Sequence, residues 1–222
     1  MSPEKHTSYF NMLEALNTAT GCPLCALEAK AVYSYLDSLL YESVNDPNVR
    51  TALRRSKGYC RSHAGKLIKF RDGLGTAMLY QDTVRDFWAF LDSVAGERKK
   101  ISRAQSRLWL DHEGCPACRV RQEAGARYAS ILLGGLDQDE MRSAFGAGPG
   151  LCVLHLLFIL GSGVEDNTRR YLVEVHQTKY GSLLRELEEF CRKHNYRRDG
   201  AGFGKEGDSW ERAVKMIVGK DD

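Results

Sequence analysis

The phrase GCPLC occupies residues 21–25, and GCPAC returns at 114–118. A second pair of phrases, GYCRSH at 58–63 and GLCVLH at 150–155, follows each of them after about 34 residues. Together the phrases use six of the seven cysteines, so almost the whole thiol content of the chain is committed to one repeated pattern. The register is close. Cys22 and Cys25 recur as Cys115 and Cys118 at a spacing of 93 residues, and Gly58, Cys60 and His63 recur as Gly150, Cys152 and His155 at a spacing of 92. Ala31, Tyr35, Leu39 and Leu40 recur as Ala124, Tyr128, Leu132 and Leu133. Self-similarity at a fixed period is the mark of an internal duplication. It predicts a first repeat over 21–112 and a second over 114–206, with an N-terminal helix in 1–20 and a C-terminal docking helix in 207–222.

The residue types carry the chemistry. Side chains at i and i+3 share one side of a helical turn, so each C-P-x-C brings two sulfurs together, and each C-x-x-H a sulfur and an imidazole. Joining one motif of each kind gives the Cys₃His donor set of a structural zinc site. Combined within each repeat, the motifs predict one ligand set of Cys22, Cys25, Cys60 and His63 and another of Cys115, Cys118, Cys152 and His155. Two Zn²⁺ ions are the leading expectation. An iron–sulfur cluster in each half is the alternative, because thiolate-rich sites also hold such centres. Dithiol–disulfide chemistry is a third reading of C-P-x-C, although the thioredoxin-type frame needs strands. Against all three stands the plain reading of buried core cysteines, which have no need of paired spacing and a histidine.

The rest of the sequence reads as helix. No run of alternating β-branched residues argues for a strand. Helices are expected at 8–19, 23–43, 47–56, 60–72, 76–110 with a break near Gly96, 116–134, 138–146, 151–162, 165–195 and 208–219. Asp46 is the expected N-cap before Pro47, and Asp137 with Glu140 reads as a capping box. Gly58 and Gly150 read as turns between helices. The stripe Leu172, Val175, Leu183, Leu184, Leu187 and Phe190 reads as core, and Trp88, Trp109 and Trp210 as core or docking anchors. The fold class is therefore all-α: an internally duplicated helical bundle with a metal site in each half.

Catalytic signals are thin. Cys191 and His194 form a further C-x-x-H without a C-P-x-C partner. The plain reading is a chance pair at a helix C-terminus; the sharper one is a reactive thiol or open metal site, with His112 or His176 nearby. A net charge of +3 with scattered basic pairs gives no nucleic-acid face. No window approaches the ~18 apolar residues of a membrane span. The first twenty residues carry Glu4, Lys5 and Glu14 and do not read as a secretory signal, so a cytoplasmic protein is expected. Paired cysteines in that compartment mark metal or redox chemistry more often than disulfides.

The segments GCPLC, YESVNDPNVR, GYCRSH, GCPAC, GLCVLH and FGKEGDSWERAV resemble an uncharacterised family of bacterial cytoplasmic proteins. The resemblance spans most of the chain. It implies duplication and metal binding, names no substrate, and implies that GDSWERAVKMIVG belongs to the folded domain with Trp210 docking on it. The functional expectation is an interaction or regulatory protein with a protein partner. An iron–sulfur electron carrier or redox sensor, and an enzyme built on Cys191 and His194, are the alternatives.

Overall fold

The computed structural model describes residues 7–95, 101–110, 114–195 and 202–219. Those residues form eleven α-helices and no strand. In chain order they are α1 (Thr7–Thr18), α2 (Pro23–Ser38), α3 (Pro47–Arg55), α4 (Arg61–Lys69), α5 (Gly73–Ala95), α6 (Arg103–Leu110), α7 (Pro116–Gly135), α8 (Asp139–Ala147), α9 (Val153–Leu160), α10 (Asp166–Asn195) and α11 (Ser209–Val218). A π-turn at Leu39–Ser43 extends α2, and a 3₁₀ turn at Lys205–Asp208 precedes α11. His112 lies outside the described residues.

Local chemistry explains most boundaries. Asp46 caps α3 by accepting the Asn48 N–H at 2.7 Å, with Pro47 at the first helical position. The capping box expected at Asp137 does not form. Gln138 is the N-cap of α8 and makes no side-chain bond to the helix, and Asp139 and Glu140 place acidic charge in its first turn.

The chain divides into two compact units, Met1–Ala29 with Ala124–Asp222, and Lys30–Glu123. These do not follow the boundaries 21–112 and 114–206. The reason lies in helix lengths. The outward leg after the first C-P-x-C is a 16-residue helix continued by a 5-residue π-turn, and the returning helix α3 has 9 residues. At 1.5 Å per residue that is about 30 Å out and about 14 Å back, so the chain does not return Cys60 to the start of α2. The second repeat has the same imbalance, 20 residues in α7 against 9 in α8.

In the unit Lys30–Glu123, Val32, Leu36, Leu39, Leu40, Leu53, Tyr59, Leu67, Leu79, Cys115 and Ala117 form one buried cluster. Helix α3 is tied to α5 by Arg50 on Asp82 and by Arg54 on Asp86, each through two guanidinium nitrogens. Trp109 packs edge-on to Phe87 at 4.8 Å, under the Lys57 ammonium. In the other unit, Met12, Leu16, Leu24, Leu132, Leu136, Met141, Phe145 and Ile159 are fully buried, and α11 packs on α9 and α10 through Met216. The expected apolar stripe of α10 is split. Leu172 and Leu183 are buried, but Leu184 faces solvent. Trp88 (68% exposed) and Trp210 (53%) stand largely in solvent, which corrects the core reading of them.

Candidate metal centres

The eight expected residues come together in two groups of four. The pairing differs from the one expected. Cys22 and Cys25 meet Cys152 and His155, and Cys60 and His63 meet Cys115 and Cys118. Each group therefore takes its C-P-x-C from one repeat and its C-x-x-H from the other. The within-repeat sets, Cys22, Cys25, Cys60, His63 and Cys115, Cys118, Cys152, His155, do not form, for the reason of helix length given above. Each group lies wholly inside one compact unit.

All eight residues sit at the starts of helices. Cys60 and Cys152 are the N-caps of α4 and α9, and His63 and His155 are the third residues of those helices. Cys22 and Cys115 immediately precede Pro23 and Pro116, which open α2 and α7 with no N–H to waste, and Cys25 and Cys118 are again third residues. The carbonyls of Cys22, Cys60, Cys115 and Cys152 accept the first intrahelical bonds, as N-cap carbonyls do. The i,i+3 spacing thus places cap and third residue on the same side. Two helix N-termini, each with partial positive charge, face every group of three sulfurs.

The ligand atoms of each group all lie within 4.8 Å of one another. In the first centre, His155 Nδ1 is 3.4 Å from Cys22 Sγ, 3.4 Å from Cys25 Sγ and 3.3 Å from Cys152 Sγ, and Cys25 and Cys152 are 3.7 Å apart. In the second, His63 Nδ1 is 3.2 Å from Cys60 Sγ, 3.3 Å from Cys118 Sγ and 3.7 Å from Cys115 Sγ, and Cys60 and Cys118 are 3.6 Å apart. Both histidines present Nδ1. The Cys60 N–H donates to Cys115 Sγ at 3.4 Å. All seven cysteines are free thiols.

The electrostatics describe a crowd of groups competing for protons. Hydrogen bonds from Cys22 and Cys25 hold the Cys152 thiol far below its usual range, and the bond to Cys152 pushes Cys22 up. Burial opposes charge on His155, but Cys152, Cys25 and Glu28 overcome it and carry the imidazole up to about 11. Burial and the neighbouring Cys60 push Cys118 up to about 12. A cation bound among these donors would take the place of those protons.

The two centres differ in their surroundings. In the first, His155 Nε2–H donates to Glu28 Oε1 at 3.0 Å, an outer carboxylate that orients the ring. Glu28 stands one turn beyond Cys25 on α2, and sequence reading missed it; the i, i+3, i+6 spacing of Cys22, Cys25 and Glu28 was the available signal. Gly125 makes the room, since a Cβ there would lie 2.2 Å from the Glu28 carboxylate oxygen. In the second centre the matching position is Arg121. The thiols of the first centre are closed off: Cys22 is 2% exposed, Cys25 6% and Cys152 0%. Gly219, at φ +79°, ends α11 against them, and a Cβ there would lie 3.1 Å from Cys25 Sγ and 3.5 Å from Cys152 Sγ. A cleft of about 230 Å³ reaches Cys22 and Cys25 from the Thr18–Gly21 side without exposing either. In the second centre Cys60 and Cys118 are half-buried.

The glycine of each G-x-C-x-x-H also has a physical account. Gly58 and Gly150 have φ of +96° and +84°, where only glycine is unstrained. Each is also crowded from the following long helix. A Cβ at Gly58 would meet the Tyr80 ring at 3.0 Å, and one at Gly150 would meet Lys179 at 2.8 Å. The crowding residues hold the loop. Tyr80 Oη accepts the Tyr59 N–H at 3.2 Å, and His176 Nε2 accepts the Leu151 N–H at 2.8 Å. In both centres, then, a helix side chain fixes the backbone just before the N-cap cysteine. His176 Nδ1–H donates to the Leu172 carbonyl, and burial keeps the ring neutral by lowering its pKa. Replacing His176 by Ala strands the buried Leu151 N–H and is expected to destabilise the protein by about 2 kcal/mol. His176→Gln, which retains an acceptor, is expected to recover part of that in thermal melts; equal losses for both variants would contradict the role.

Cys191 and His194 belong to neither centre. Cys191 is exposed, and the His194 ring lies against Phe190 at 4.5 Å and Phe203 at 5.1 Å.

A family match covers residues 5–222. The chain belongs to the family of unknown function DUF6062. It is similar to an uncharacterised 23.9 kDa protein in the xynA 3′ region of Caldicellulosiruptor sp. (strain Rt8B.4), with 29% identity over 202 residues, covering 89% of this chain and 95% of that protein. No solved structure matches it. Among the described residues of this family member, no helix is long and apolar enough to cross a membrane.

Proposed function

We propose that this DUF6062 protein binds one zinc ion in each Cys₃His centre, that the ions are structural, and that the metal-stabilised bundle serves as an interaction or regulatory protein. The observation that carries this reading is the convergence of four donors within 4.8 Å, twice, in one chain. A zinc tetrahedron with Zn–S near 2.3 Å and Zn–N near 2.0–2.1 Å has edges of about 3.8 Å between sulfurs and about 3.6 Å between sulfur and nitrogen. One sulfur pair in each centre lies at 3.7 or 3.6 Å and five of the six sulfur–nitrogen pairs at 3.2–3.4 Å, edges suited to one ion. An iron–sulfur cluster spreads its protein ligands over two or four irons and needs a wider cage. Three thiolates and an imidazole complete the coordination of zinc and leave no open position for a substrate, which favours a structural role over a catalytic one.

The placement of Cys191 and His194 does not favour the enzyme reading, since the thiol is exposed and the His194 ring is engaged with the rings of Phe190 and Phe203. The test is metal analysis of protein purified without oxygen, with a visible spectrum. Two zinc ions per chain and a colourless solution are expected. Brown protein with iron and acid-labile sulfide would replace this reading with the cluster, and less than one metal per chain would end both.

A further inference from the structure

We propose that the outer faces of α9 and α11 form the surface through which two copies of this chain pair. Helix α9 reads VLHLLFIL, apolar on every side but for His155. Ile159 faces the core, while Leu154, Leu157 and Phe158 point away from it. On the adjoining α11, Trp210, Val214, Ile217 and Val218 make a second outward stripe at i, i+4, i+7 and i+8. These seven side chains are between 52% and 61% exposed.

The repeat supplies an internal control. Helix α4 is the counterpart of α9, does the same work for the second metal centre, and carries Ser62, Gly65 and Lys66 where α9 carries Leu154, Leu157 and Phe158. Building a C-x-x-H helix therefore does not require an apolar outer face. The face on α9 answers to something else.

Area and charge point to a second copy as the occupant. Aromatic side chains offer about 150–250 Å² each and aliphatic ones somewhat less, and roughly half of that is open at seven positions, so the face presents on the order of 700 Å², close to one partner's share of a standard interface. A typical monomer's largest apolar patch is about 300–600 Å². An isologous dimer needs a patch that complements itself. An uncharged face bordered on α11 by both an acid and a base, Glu211 and Lys215, meets that condition, because a two-fold axis can set each against its opposite.

The test is sedimentation or light scattering of the metal-loaded full chain across the micromolar range, with Leu157→Glu and Val214→Lys as variants. The wild-type chain is expected to be a dimer. Each variant is expected to weaken pairing at least tenfold while metal content and helical circular dichroism stay as in wild type, since both positions face solvent in the single chain. A wild-type monomer at all concentrations overturns the proposal, and so does a monomer that uses this face for a different protein or for lipid vesicles. A dimer that survives both substitutions overturns it as well.

Discussion

Stripping the metal with a strong chelator at neutral pH is expected to unfold most of the protein. A structural zinc site contributes roughly 10 kcal/mol or more to the folded state, while whole domains are stable by only about 5–15 kcal/mol. The centres sit in the packing and not beside it. Cys115 belongs to the same buried cluster as Leu36, Leu53 and Leu67, and Cys152 is fully enclosed in the other unit. Without an ion, three thiols and an imidazole in each unit crowd within 4.8 Å of one another with no cation to hold them together. The helices that start at those residues, α2, α4, α7 and α9, lose the anchor that sets their directions. The expected readout is a large fall in helical circular dichroism and loss of the cooperative melt, both restored by added zinc. A metal-free chain with unchanged helicity and a melting temperature within a few degrees of the loaded form would refute a structural role.

The second large effect is a difference between the two centres. The one built from Cys60, His63, Cys115 and Cys118 is expected to lose its metal first, about 10–100-fold faster than its counterpart, which is the range that outer-shell contacts command. Two features protect the first centre: the Glu28 carboxylate on His155, and the end of α11 at Gly219 closing over Cys25 and Cys152. The second centre has Arg121 in place of Glu28, and Cys60 and Cys118 are half-buried. Chelator competition followed by a colorimetric zinc indicator should resolve two phases of one equivalent each. Brief alkylation should label Cys191, then Cys60 and Cys118, and leave Cys22, Cys25 and Cys152 for last. Glu28→Gln is expected to speed the slow phase about tenfold and leave the fast one alone. A single phase for both metals, or a Glu28→Gln protein with unaltered kinetics, would mean that these contacts do not govern the sites.

What could be read from the sequence, and what could not, divides along the distinction between local and non-local order. The eight Cys and His residues were legible because cap and third-residue spacing is a local rule, and Pro23 and Pro116 mark the helix starts. Helix identity was legible for the same reason, from Pro47 behind Asp46 to the long periodic run of α10. Which motif meets which was not legible, because a spacing near 34 residues is compatible with a hairpin in which the outward and returning helices match in length. They do not match, and only the end of the π-turn at Ser43 and the short α3 reveal it. Glu28 escaped notice because its role depends on His155, 127 residues away. The exposure of Trp88, Trp210 and Leu184 was missed because an apolar residue at helical spacing carries no sign of what stands opposite.

The crossed assembly of the two centres is tested most directly by paired substitutions and native mass spectrometry of the metal-loaded chains. Cys60→Ser with Cys115→Ser strikes one centre twice, so this protein should keep one zinc. Cys25→Ser with Cys60→Ser strikes both centres once, so this protein should keep none at wild-type affinity. The opposite outcome, one zinc retained by Cys25→Ser/Cys60→Ser and none by Cys60→Ser/Cys115→Ser, would mean that each repeat builds its own site and that the crossed pairing is wrong.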